Sequence, residues 1–335
     1  MSAIVVEQLV KRFPGEQRPA VDGVSFEVQA GELVVLLGPS GCGKTTLLKM
    51  INRLYEPDEG RLLINGQDAR SLPATQLRRS IGYVIQAAGL FPHMRVEENI
   101  AVVPRLLGWD RARIDARVDE LLELVGLPPA YRRRYPRQLS GGEQQRIGLA
   151  RALAADPAIM LMDEPFGAID AITRTRLQEE LLAIQRRLRK TILFVTHDVE
   201  EALRLADRLL VMRAGRLVQY GPPLAIMAAP ADPFVQELLG TEDLLRRLSL
   251  VPVRDALQRQ AGPPRADGAE PSVSVGIDDD LRAALGQLLR AAGDTLAVED
   301  RDGRVVGRLS FEDLRAAVAP DRAAVPEGQP GPPAA

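Results

Sequence analysis

The sequence predicts an α/β fold: a largely parallel central sheet with an inserted helical subdomain, followed by a small second α/β unit near the C-terminus. Three observations carry this. Over residues 1–240, apolar runs at 32–37, 159–162, 191–195 and 208–212 alternate with helix-like stretches, the pattern of parallel strands joined by crossover helices. A glycine-rich loop sits between the first run and a helical start. Between 91 and 153 the pattern changes to helices alone, with Ile114, Val118, Leu121, Leu122 and Val125 recurring on one amphipathic face.

That loop, Gly38-Pro39-Ser40-Gly41-Cys42-Gly43-Lys44-Thr45-Thr46, runs into Leu47-Leu48-Lys49-Met50. A loop between a buried strand and a helix N-terminus offers unpaired N–H groups and a positive dipole end to anionic phosphate. Gly41 and Gly43 let the backbone wrap the phosphates, Lys44 adds a point charge, and the Thr45 hydroxyl can ligate Mg²⁺. Gly38, Ser40 and Thr46 complete the phosphate-binding set, so a nucleoside triphosphate is the expected ligand.

Farther along, Ile159-Met160-Leu161-Met162 is an apolar strand ending in two carboxylates, Asp163 and Glu164. At the C-terminal end of a parallel strand that opens toward the phosphates, Asp163 can hold Mg²⁺ and Glu164 can orient and deprotonate an attacking water. In isolation the pair also reads as a strand running into an acidic loop. Ser140-Gly141-Gly142 opens the helix that continues through Glu143-Gln144-Gln145-Arg146 and forms a second anion-binding N-terminus, or a plain N-cap. Two phosphate sites in one chain suit a head-to-tail homodimer that sandwiches each nucleotide.

Composition narrows the classes. The 335 residues allow two domains, and 46% hydrophobic residues are enough for a sizeable core. A net charge of −2 gives no electrostatic reason to expect nucleic acid, and the densest basic spot, Arg132-Arg133-Arg134, reads as a solvated face. Only four of the 43 basic residues are lysines, so Lys44 stands out. No apolar run approaches the roughly 18 residues that cross a bilayer, and no basic-then-apolar leader opens the chain, which predicts a cytoplasmic protein unless a partner holds it at a membrane. The single cysteine, Cys42, excludes an internal disulfide, and two histidines, His93 and His197, are too few for a histidine metal cluster.

Residues 241–271 read as a connector and linker, ending in a stretch with Gly262-Pro263-Pro264. Residues 272–320 give the order β-α-β-β-α, and 321–335, rich in proline and small residues, read as a disordered tail.

Taken together, the motifs resemble the nucleotide-binding subunit of ATP-binding cassette (ABC) transporters over residues 1–240, with the helical subdomain at about 90–153. The resemblance implies ATP and Mg²⁺ as ligands and a fold of the P-loop NTPase type. It implies that Phe13 stacks on adenine, although a core phenylalanine is the other reading. It implies that Gln86 touches Mg²⁺ and water and reports to the membrane partner. Asp170 then couples the two sites of the dimer, with Ile169 where leucine is usual, and His197 senses the γ-phosphate, where a lone histidine is otherwise more often structural. Catalysis falls to Glu164, His197 and Gln86, with Thr45, Gln86 and Asp163 around the metal.

Segments around Ile81-Gly82-Tyr83-Val84-Ile85-Gln86, Gly89-Leu90-Phe91-Pro92-His93-Met94 and Phe166-Gly167-Ala168-Ile169-Asp170 are similar to the osmoprotectant branch, importers of glycine betaine, choline, carnitine and related quaternary amines. Arg95 departs from the threonine expected there. The partners implied are permease subunits and an extracytoplasmic binding protein, with this chain peripheral on the cytoplasmic face of the membrane. An importer of another solute, an exporter, or a non-transport ABC ATPase are the alternatives; the last carries paired cassettes or long coiled coils, which this chain lacks. The C-terminal unit is similar to half of a cystathionine β-synthase (CBS) domain pair. Its Gly307-Arg308-Leu309-Ser310-Phe311-Glu312-Asp313 matches a pattern whose serine and aspartate hold an adenine nucleotide, here Ser310 and Asp313, possible regulatory positions in one reading and a helix-start box in the other.

Overall fold

A computed structural model describes residues 2–86, 89–167, 169–259, 273–290 and 294–318. In chain order the first unit comprises β1 (Ser2–Lys11), β2 (Val21–Gln29), β3 (Leu33–Leu37), α1 (Lys44–Ile51), β4 (Glu59–Ile64), β5 (Gln67–Asp68), α2 (Ala74–Ser80) and β6 (Ile81–Val84). Next come α3 (Val96–Ile100), α4 (Val102–Leu106), α5 (Arg111–Leu124), α6 (Gly141–Leu153), β7 (Ile159–Asp163), α7 (Ala171–Leu188), β8 (Thr191–Val195) and α8 (Val199–Leu205). The unit closes with β9 (Arg208–Arg213), β10 (Arg216–Gly221), α9 (Pro223–Ala228) and α10 (Pro233–Leu239).

The central sheet has the order β10-β9-β3-β8-β7-β6. All its pairings are parallel except that of β10 with β9. All five residues of β3 and of β8 are buried, as parallel strands covered on both faces require. Because β3, β7 and β8 are neighbours running the same way, the segments that leave their C-terminal ends share one edge of the sheet, where open α/β sheets bind ligands.

A separate antiparallel sheet, β2-β1-β4-β5, was not apparent from the sequence. Its strands carry register shifts near Val6–Leu9 and Leu9–Lys11 that break the alternation of buried and exposed positions. Ile4, Val6, Leu9, Val24 and Val28 nevertheless join Val34, Leu36, Leu47 and Leu48 in one hydrophobic core.

The helical subdomain follows its apolar face: Ile114, Val118, Leu121, Leu122 and Val125 are all buried. Its polar hub is Arg132, on a 3₁₀ turn (Pro129–Arg133). The guanidinium reaches Glu97 of α3 at 3.0 Å and Asp115 and Asp119 of α5 at 2.7 and 2.8 Å. The run of arginines at 132–134, expected to be a solvated face, thus contains a mostly buried structural residue.

The second compact unit includes Gly240–Ala335. It comprises α11 (Leu244–Leu248), α12 (Val253–Arg259), β11 (Ser274–Gly276), α13 (Leu281–Arg290), β12 (Thr295–Glu299), β13 (Val305–Ser310) and α14 (Phe311–Val318). The β-α-β-β-α order expected for 272–320 is present, with β11 parallel and β13 antiparallel to β12. The connector needs correcting, because residues 244–248 and 253–259 are helices that pack on α13 and α14. The Val253 N–H donates to Asp279 and the Leu281 N–H to Val251, and Val251 and Val253 are buried. Residues 260–272 and the tail at 321–335 lie outside the described residues.

Replacing Arg132 by alanine strands three carboxylates against one another. Urea denaturation of Arg132→Ala is expected to show a loss of about 1–3 kcal/mol. Wild-type stability in that variant would show the hub to be dispensable.

Candidate active site

The site starts from the close passage of the glycine loop between its neighbours. A Cβ on Gly38 would overlap the Met212 carbonyl oxygen, and one on Gly43, at φ 104°, would overlap the Ala20 carbonyl oxygen. Gly43 is also the residue that opens α1, which has neither a side-chain cap nor an acidic residue in its first turn. The first-turn N–H groups are therefore left to a ligand. Lys44, a residue only 5% exposed, turns its ammonium back into the loop and donates to the carbonyls of Gly38 at 2.7 Å and Pro39 at 3.0 Å.

A cleft of about 620 Å³ opens over this loop, its walls including Phe13, Arg18, Ser40, Lys44, Glu164 and Gly215. Phe13 is half-buried and packs edge-on against Tyr55 at 5.3 Å, with the Lys11 ammonium 5.7 Å from its ring centre. It is a wall of the cleft and not a core residue. The residues of 16–19 and Ala214-Gly215 also line it, and nothing in their sequence marked them.

Beside the loop, β7 delivers the two carboxylates to different surroundings. The Thr45 hydroxyl donates to Asp163 at 2.9 Å. Burial pushes the Asp163 carboxyl above its ordinary range, opposed by the Thr45 hydrogen bond and by Lys49. Glu164 adopts a left-handed φ of 45°, and its N–H donates to the Val195 carbonyl at 3.0 Å. One of its carboxylate oxygens accepts from the Gln86 amide at 3.3 Å and lies 3.2 Å from Nδ1 of His197, just beyond the end of β8. Three residues expected to be catalytic thus meet on one oxygen. Tyr83, unnoticed in the sequence, has its phenol pushed up to about 12 by burial and by the negative charge of Asp163.

The second anion motif is not among the residues lining the cleft. Ser140 caps α6 through a reciprocal box with Glu143, whose carboxylate also accepts from Tyr131 at 2.6 Å. Ser140 and Gly141 are exposed. A Cβ on Gly142 would stand 3.0 Å from the Thr173 methyl, which places this motif beside the first turn of α7. Asp170 caps that helix by accepting from the Thr173 N–H at 3.0 Å. In the second unit the Ser310 hydroxyl donates to Asp313 at 2.6 Å, and the Asp313 N–H donates back to it at 3.3 Å. These two side chains form the helix-start box.

A family model described as ABC transporter matches residues 21–167. "Osmoprotectant import ATP-binding protein OsmV" of Salmonella typhimurium is 47% identical over 93% of this chain and 80% of its own length. The chain belongs to the ABC transporter ATP-binding proteins. "Glycine betaine uptake system ATP-binding protein YehX" of Escherichia coli is 49% identical, covering 91% of this chain and 97% of that relative. Among solved structures, the dimeric post-hydrolysis state of the ATP-binding cassette MJ0796 bound to ADP and Pi superposes with a TM-score of 0.59 and 30% identity, over 66% of this chain and 98% of that one. The ABC unit accounts for the loop, the carboxylate pair and the inserted helices. The likeness of the second unit to a CBS half-domain rests on its element order and on the sequence pattern at 307–313.

Because burial holds the Asp163 carboxyl above its ordinary value, ionising it costs stability above the raised value and costs nothing below the ordinary one. Asp163→Asn keeps an acceptor for Thr45 and removes the charge. Its melting temperature at neutral pH is expected to equal or exceed that of wild type, with the difference vanishing below about pH 4. A variant that melts earlier at neutral pH would refute a burial cost at Asp163.

Proposed function

We propose that this chain is the ATP-hydrolysing subunit that energises uptake of a quaternary ammonium osmoprotectant of the glycine betaine, choline or carnitine type. It would act as a homodimer on permease subunits at the cytoplasmic face of the membrane, supplied by an extracytoplasmic binding protein. Among the described residues no helix is long and apolar enough to cross a membrane; in this reading the permease subunits supply the translocation path. The observation that carries the enzymatic part is the convergence of Gln86 and His197 on Glu164 at the mouth of the phosphate-loop cleft. The choice of solute class is supported by relatives that align over 91–93% of the chain, taking in the second unit as well as the ABC unit.

In this reading the triphosphate takes the loop N–H groups and the first turn of α1. Lys44 exchanges the carbonyls of Gly38 and Pro39 for phosphate oxygens. The Thr45 hydroxyl and Asp163 carboxylate, two oxygen donors with the carboxylate half-buried, fit a hard divalent cation. Mg²⁺ there would neutralise charge developing on the transferring phosphoryl. Glu164 uses the oxygen not engaged by Gln86 and His197 to take the proton of the attacking water. Those two side chains orient it, and His197, more than half exposed, is free to turn toward the γ-phosphate. Ser140, Gly141 and Gly142 of a second copy would close the cleft, with Asp170 at the adjoining helix end reporting closure. The mutual hydrogen bonding of Ser310 and Asp313 supports a capping role over an adenine-nucleotide site in the second unit.

Glu164→Gln is expected to bind ATP like wild type and to release phosphate at least 100-fold more slowly; near-normal release would take Glu164 out of the role. For the solute, uptake of labelled glycine betaine is measured in a host lacking this gene and its redundant betaine importers. Restoration by wild type but not by Glu164→Gln is expected at high osmolarity. Uptake unchanged by wild type would leave the ATPase standing and move the solute elsewhere.

A further inference from the structure

The nucleotide cleft has a second cation that no motif marks. Among the residues that line it the cations are Lys44, in the phosphate loop, and Arg18. Arg18 belongs to the loop between β1 and β2. That loop is closed at its base by the Ala20 N–H donating to the Lys11 carbonyl at 2.8 Å, and it turns where the Glu16 N–H donates to Phe13 at 3.2 Å. Its base presses on the phosphate loop. The Ala20 carbonyl occupies the space a Cβ on Gly43 would need, and the Pro19 carbonyl comes within 2.9 Å of a Cβ built on Gly215. Arg18 thus stands two residues from the close contact that Ala20 makes with the phosphate loop, in the same β1–β2 loop as Phe13.

The other cations of this segment are committed elsewhere. Lys11 pairs with Asp58 at 2.9 Å and donates to the Glu56 carbonyl at 2.8 Å, and Arg12 pairs with Glu59 at 2.6 Å. Arg216, beyond Gly215, pairs with Asp22 at 2.7 Å. Arg18 is exposed and, among the described residues, has no hydrogen-bond or ion-pair partner. The carboxylates among the lining residues are the exposed Glu16, two positions from Arg18 in the same loop, and Glu164. Lys44 alone is a small counter-charge for a triphosphate, and a guanidinium presents a planar fork of donors that matches phosphate oxygens.

We infer that Arg18 is a nucleotide-binding residue, closing on the solvent-facing side of the polyphosphate while the loop N–H groups and Lys44 hold the opposite side. The inference rests on the reading of this cleft as the ATP site. It makes the β1–β2 loop bifunctional, with Phe13 facing the base and Arg18 the phosphates.

The test measures ATP affinity of the full chain by calorimetry, together with steady-state hydrolysis. Arg18→Ala is expected to raise the Kd for ATP about three- to tenfold and the KM alike, with kcat unchanged, because the contact is made equally before and during reaction. Arg18→Lys is expected to recover part of the loss, since the charge returns without the fork. A Kd in Arg18→Ala equal to that of wild type, or a fall in kcat at constant KM, would overturn the assignment. Should Arg18→Ala melt early, Arg18→Gln and Arg18→Lys are compared instead, and equal Kd values in that pair count against it. A wild-type chain that binds no ATP would bring down the reading of the cleft itself, whereas wild-type binding with an indifferent Arg18 removes only this inference.

Discussion

The structure depends on how closely backbone can approach backbone at the end of β3. Gly38 and Gly43 lie against the carbonyls of Met212 and Ala20, so the phosphate loop is held from one side by β9 and from the other by the chain entering β2. A side chain at either position would force these segments apart. This approach aims the loop N–H groups into the cleft, starts α1 without a side-chain cap, and brings Phe13 and the loop after it over the same space. The energetic logic is preorganisation: donors fixed by packing need no reorganisation when charge arrives.

The carboxylates of β7 show how adjacent residues are given different work. Asp163 continues the strand, is half-buried and is held by Thr45. Glu164 leaves the strand in a left-handed conformation that costs a non-glycine residue on the order of 1 kcal/mol. That turn, secured by the hydrogen bond to Val195, swings its carboxylate out of the strand line to where Gln86 and His197 reach it. The strain sits at the residue whose geometry the chemistry needs, and the neighbouring strands β6 and β8 supply its partners because the sheet order sets them on either side of β7.

Much of this was legible in the sequence for physical reasons that differ by element. Strands β3, β7 and β8 are covered on both faces and read as unbroken apolar runs. The antiparallel sheet was not legible, because its strands are half-exposed and bulged and the pattern loses its period at Val6–Leu9. The phosphate loop and the carboxylate pair announce themselves because backbone geometry and metal chemistry admit few residue types. Arg18 does not, since an exposed arginine in a loop has the same appearance whether it faces solvent or a ligand. Arg132 was misjudged in the same way: three consecutive arginines look like a solvated face, and only the fold shows that one of them meets three carboxylates.

The second unit shows where pattern reading fails on short elements. Helices of five and seven residues span too few turns to display a period, so 244–248 and 253–259 read as connector beside a proline- and glycine-rich stretch. The buried residues of these helices and of the link between them, Leu248, Val251, Val253 and Ala256, close a core that the three-stranded sheet and two helices after it would leave open. A β-α-β-β-α unit of under 50 residues sits at the lower limit of what one hydrophobic core can stabilise. Drawing the two preceding helices into the fold is the physical remedy. The same economy governs Ser310 and Asp313, whose atoms are engaged in starting α14 on a core with little energy to spare. A ligand that claimed them would have to replace the cap it removed.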